Sequence, residues 1–133
     1  VAWLALAIAG CGAPLVAEPQ DLVAQVAQLE REMQRTIGQA SCSSDSDCNA
    51  VPVGHKPCGG PARYLVFASQ ATDVARLQAL AARHRDASRA LNVARQARSD
   101  CAIVPAPEVA CVDRRCVARD APPATRGPVR LRE

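Results

Sequence analysis

The six cysteines between Cys42 and Cys116 constrain this chain more than any other feature. They fall as two trios, Cys42, Cys48 and Cys58, then Cys101, Cys111 and Cys116. An even set at such spacings, in an exported chain of this size, reads as three disulfides. Composition says why staples are needed. Hydrophobic residues make up 49% of the 133 residues but aromatic ones only 2%, so the apolar share is mostly alanine and valine. A core of small side chains buries little area per residue, at roughly 25 cal/mol per Å². A domain of about 100 residues built on it needs cross-links worth about 2–4 kcal/mol each. Fifteen pairings are open to six cysteines. The reading leans toward bridges that join the first trio to the second, because these would lock both halves of an internal repeat together.

That repeat is a match of Ser46-Asp47-Cys48-Asn49-Ala50-Val51-Pro52 to Ser99-Asp100-Cys101-Ala102-Ile103-Val104-Pro105, 53 residues later, with Cys58 and Cys111 at the same offset. Each Ser-Asp pair predicts a turn whose side chains bond backbone amides. Each cysteine then opens a short strand that its proline ends at a sheet edge. The expectation is that the two copies pair in one small sheet and that Asp47 and Asp100 play the same role.

Two helices are written in the hydrophobic spacing. Leu22, Val26, Leu29, Met33 and Ile37 form one stripe, starting near Asp21 and stopping at Gly38. Leu77, Leu80, His84, Ala87 and Leu91 form a second stripe, from about Asp73, with Thr72 as its N-cap, to about Arg98. The β-prone runs are Cys48–Val53, Tyr64–Ala68, Cys101–Val104, Val109–Val112 and Cys116–Ala118, with a tight turn at Asp113-Arg114-Arg115. The predicted architecture is an α+β domain over residues 21–118. In it a small antiparallel sheet of cysteine-anchored strands packs with two amphipathic helices. Residues 12–20, with two prolines and a glycine, read as a tether. Residues 119–133, proline-rich and charged, read as a disordered tail.

Candidate chemistry is sparse. His55, Lys56, Gly59 and Gly60 lie in a loop of turn-formers around Cys58, the one segment with the character of a binding loop. His55 beside Cys58 makes no nucleophile pair when that cysteine has a bridge to form, and His84 on an apolar stripe reads as a packed core residue. A redox role would need C-x-x-C, which does not occur. Zinc would need paired ligands at matching spacing, and only Cys111 and Cys116 come near. Asp45 and Asp47 lack the glycine and terminal glutamate of a calcium loop. No metal and no other cofactor is expected, nor a small-molecule substrate. The second helix carries six arginines against two aspartates. They scatter around its axis with no aromatic between them for base stacking, which argues against nucleic acid. An anionic partner remains open.

Residues 1–10 are apolar and uncharged, too short to span a bilayer but suited to the h-region of a secretory signal, inside which the sequence is expected to begin. The hexapeptide Leu6-Ala7-Ile8-Ala9-Gly10-Cys11 resembles the lipobox of bacterial lipoproteins. The resemblance implies that residues 1–10 are a signal peptide and that Cys11 becomes the mature N-terminus, carrying acyl chains on sulfur and nitrogen. Several chains, at about 0.8 kcal/mol per buried CH₂, make such anchoring effectively permanent. Gly12 in place of aspartate after Cys11 implies the outer membrane, on its periplasmic side.

Cys42-Ser43-Ser44-Asp45-Ser46-Asp47-Cys48 is similar to the opening of secreted protease inhibitors of the whey-acidic kind. Those modules have eight cysteines with an adjacent pair, and no long helix. The pattern also resembles six-cysteine bacterial exported domains, which implies no activity. The leading expectation is therefore a non-enzymatic structural or interaction domain with an envelope protein as partner. Its alternative is a module that inhibits a protease or other envelope enzyme through the His55–Pro61 loop.

Overall fold

A computed structural model describes residues 17–119. The segment expected to be a signal peptide, Cys11, most of the expected tether and nearly all of the expected tail lie outside the described residues. The fold is α+β: helix α1 (Pro19–Ile37), strands β1 (Cys48–Val53) and β2 (Arg63–Ala68), helix α2 (Val74–Ala94), and strands β3 (Glu108–Val112) and β4 (Arg115–Arg119).

Helix α1 follows its apolar stripe. Leu22, Leu29, Met33 and Ile37 are buried, and Gly38 ends the helix at φ +61°, a left-handed conformation glycine adopts without a Cβ penalty. Helix α2 is capped one residue later than predicted, at Asp73 rather than Thr72. Asp73 accepts the Arg76 amide at 3.0 Å, while Thr72 is buried beside it. It also ends at Ala94, short of Arg98. Gln96 turns left-handed at φ +49°, its amide reaches Val93 O at 3.1 Å, and the Ala97 amide reaches Asn92 O at 2.9 Å. Those two bonds close a Schellman motif, which stops a helix whatever the propensity beyond it.

The strands form two separate antiparallel hairpins, β1–β2 and β3–β4, not one sheet. In the first, Cys48 pairs with Ala68 and Val53 with Arg63. Its face bearing Val51, Val53 and Phe67 packs with Leu29, Met33, Leu77, Leu80 and Ala81 of the two helices to make the core. In the second, Cys111 pairs with Cys116 across a two-residue turn, Asp113-Arg114, with both residues at positive φ. This is the geometry that matches the natural twist of a hairpin. The chain before β1 clasps that hairpin: the Cys116 amide donates to Ala40 O (2.9 Å), the Cys42 amide to Arg114 O (3.1 Å) and the Cys111 amide to the Asp45 carboxylate (2.7 Å).

The disulfides are Cys42–Cys111, Cys48–Cys116 and Cys58–Cys101, each joining the first trio to the second. The pairing leans the way the sequence reading does, but for a different reason. The two copies of the repeat do not share a sheet. Cys48–Pro52 lies in β1, whereas Cys101–Pro105 is an irregular, largely exposed connection that opens with Cys101 at φ +58°. Asp47 reaches back to the amides of Ser43 (2.8 Å) and Ser44 (3.1 Å), closing a capping box on a short 3₁₀ turn. Asp100 reaches forward to the Ala102 amide (3.0 Å). The backbone amides lower both carboxyls below their ordinary pKa, and at Asp100 Lys56 adds to the effect. The roles are related but not equivalent.

A candidate binding groove between β1 and helix α2

An apolar groove of about 470 Å³ lies between β1 and α2. One wall is Ala50, Val51, Pro52 and Gly54, with Phe67 at its base. The other is Gln78, Ala81, Ala82 and Arg85 from two turns of α2. His55, Gly60 and Pro61 close one end. Small side chains make the hollow. Alanines at 81 and 82 bring the helix close to the strand without filling the space between them.

Because Ala50 and Pro52 point to one face of β1 and Val51 to the other, the groove wraps the outer edge of the strand. Among the described residues that edge has no neighbouring strand, since β1 pairs with β2 alone. The phase of the ladder is fixed at both ends. The Ser69 amide donates to Asp47 O at 2.8 Å, and the Ala62 amide to Val53 O at 3.0 Å. Carbonyls alternate along a strand, so the N–H and C=O of Ala50 and the C=O of Pro52 turn away from β2 toward the groove. Pro52 sits where its missing N–H costs the ladder nothing.

The loop from Gly54 to Ala62 is fastened rather than loose. Gly54 has φ +79°, and a Cβ there would stand 2.9 Å from the Ala62 Cβ, so both conformation and space demand glycine. Inside the loop the Lys56 amide donates to Gly60 O (3.0 Å) and the Gly59 amide to Lys56 O (2.8 Å). Outside it, Asn92 Nδ2 donates to His55 O at 2.6 Å, Cys58 is bridged to Cys101, and Lys56 Nζ donates to Asp100 Oδ1 (3.0 Å) and to the Ala102 carbonyl. Of the four residues singled out in this loop, His55 and Gly60 line the groove. Gly59 borders a neighbouring hollow with Arg89, Asn92 and Val93. Lys56 has its ammonium engaged by Asp100 and is a fastener. His55 Nδ1 is buried without a hydrogen-bond partner.

His84 lies outside the groove, buried between the helices. Its Nδ1 meets Ser88 Oγ at 3.3 Å, and its Nε2 stands 4.0 Å from Glu30, beyond hydrogen-bond reach. Glu30 in turn pairs with Arg63 of β2. Burial holds the imidazole below its ordinary pKa, opposed by the Glu30 charge and reinforced by Arg63. The sulfurs of Cys42, Cys48 and Cys111 cluster within 4.8 Å of one another, but each belongs to a bridge and has no thiolate to offer a metal. No helix among the described residues is long and apolar enough to cross a membrane.

Gln78, Ala81, Ala82 and Arg85 were not legible as site residues. Nothing in the sequence distinguishes Arg85 among the arginines of α2 until the fold lays that helix beside β1. No family model matches the chain, and comparisons with curated proteins and with solved structures return no match either.

Proposed function

We propose that this chain is a non-enzymatic binding domain of the bacterial envelope, tethered by acylated Cys11 to the periplasmic side of the outer membrane. The observation that carries the binding role is the groove. It combines apolar walls, a free strand edge and a single charged lining residue, Arg85, on a scaffold fixed by three bridges. Three disulfides in so small a domain support an oxidising compartment. The tether rests on the lipobox-like Leu6–Cys11. Pro57–Gly60, exposed and pinned through Cys58, favours a second reading as an inhibitory loop, and Lys56 would not be its contact residue because Asp100 holds it.

Fractionation of cells expressing the full-length gene tests the tether. The wild-type protein should sediment with outer membranes, and Cys11→Ser should be released or left unprocessed. Normal processing and continued membrane attachment of that variant would refute it. Failure to slow a panel of envelope proteases at stoichiometric excess would dispose of the inhibitory reading.

A further inference from the structure

Resting on the reading of the groove as a binding site, we infer that it takes an extended peptide segment of a partner protein, added as a strand to the outer edge of β1, with a carboxylate of that segment set against Arg85. Three observations meet there. The first is hydrogen-bonding capacity. The ladder phase turns Ala50 N–H, Ala50 C=O and Pro52 C=O toward the groove, enough for a short run of main-chain bonds. Pro52 withholds one donor, so the added strand is short.

The second is shape. A strand beside β1 lies about 4.8 Å away and projects alternate side chains to its two faces. The apolar lining at Val51, Phe67, Ala81 and Ala82 receives those on one face. The α2 wall gives the segment a second surface to cover, as strand addition into a strand–helix groove requires. The third is charge. Among the described residues no acidic side chain lines the groove, and Arg85 is the one Lys, Arg, Asp or Glu that does.

Direction follows from the topology. Ser69–Asp73 carry the chain from Ala68, opposite Cys48, into α2, and Asn92 meets His55 beyond the end of β1. Helix and strand therefore run the same way, and Arg85 stands toward the Gly54–Gly60 end. The carboxylate belongs at that end. Arg85 is bonded to Asp86 at 2.9 Å, but both are exposed neighbours on one helix, an exchangeable pair of little cost. The tail sequence RGPVRLRE of this chain, with three arginines against one glutamate, is repelled by Arg85 on balance and is disfavoured for the role.

The test is panning of the purified, disulfide-intact domain against a random nine-residue display library, followed by titration of the best synthetic peptide. Recovered sequences should alternate apolar and polar residues and contain an acidic one. N-methylation scanned along the peptide should weaken binding about tenfold or more at the alternate amides that face β1, since each of those removes a main-chain bond and its space. Arg85→Glu should weaken it by a similar factor, and Ala82→Phe, which fills the groove, should abolish it. Melting curves of both variants establish that they fold. No enrichment, or enriched peptides indifferent to N-methylation and to Ala82→Phe, would overturn strand addition. Binding lost with Ala82→Phe yet indifferent to N-methylation would leave the groove as a site while rejecting strand addition. Binding indifferent to Arg85→Glu alone would reject the carboxylate.

Discussion

Replacing Cys58 and Cys101 together by serine isolates the contribution of one cross-link. Both residues are exposed, so the substitution removes a constraint without opening a cavity in the core. The bridge spans 43 residues, for which the loop-closure expression alone gives about 4 kcal/mol. The loop is not free in the unfolded chain, however, because it lies inside the ring closed by Cys48–Cys116. Of that ring's 68 residues, 43 run along one arc between Cys58 and Cys101 and the remaining 25 along the other. Two such arcs in parallel act like a single loop of about 16 residues, which lowers the figure to about 3 kcal/mol. Releasing Cys101 from φ +58° returns about 1 kcal/mol of backbone strain. The net loss should be about 2 kcal/mol. Urea unfolding, with the other two bridges verified by peptide mapping, reads it directly, and the slope should rise as the denatured state expands. A loss below about 0.5 kcal/mol, or one equal to removal of the buried Cys48–Cys116 bridge, would mean that this cross-link does not act by loop closure in the unfolded chain.

Gln96→Gly should stabilise the domain by about 0.5–1 kcal/mol, since Gln96 occupies the left-handed position of a Schellman motif; a destabilised variant in thermal melts would contradict that assignment. The His84 dependence has a definite sign. Unfolded, the imidazole protonates near its ordinary 6.5, while burial keeps the folded one neutral to lower pH. The unfolded state therefore binds more protons just below pH 6.5, and stability should fall as pH drops through that window and level off beneath the folded value. His84→Gln should flatten that slope in urea titrations between pH 7 and 5, and an unchanged slope would show that another group is responsible.

How far the sequence reached depends on whether a feature is local. The α1 stripe and its Gly38 stop, the β1 span Cys48–Val53 and the Asp113-Arg114 turn are each set by residues within a few positions of one another, and each appears where the pattern puts it. The repeat shows the limit. Cys101–Val104 shares its cysteine and valine with Cys48–Val51 and sits in the same Ser-Asp…Pro frame, but a strand needs a partner, and β2 supplies one only to the first copy. Pro107, which has no counterpart in the first copy, follows the second, and its cysteine is drawn out to the Cys58 loop. The groove was hidden for the same reason. Its walls come from residues 50–54 and 78–85, which share no motif and meet only because α2 returns alongside β1. His55 and Gly60 could be found because turn residues mark a loop; the alanines opposite them could not.

The central claim is that the β1–α2 groove is the working surface of an envelope binding domain. A photo-crosslinking amino acid placed at Ala82, in the full-length protein in intact cells, tests it most directly, with the exposed Gln28 of α1 as the control position. A discrete crosslinked protein should form at Ala82, be absent at Gln28, and fall markedly in yield when Arg85→Glu is combined with the probe. Equal crosslinking at the two positions, or none at Ala82 from protein present in the envelope fraction, would contradict it.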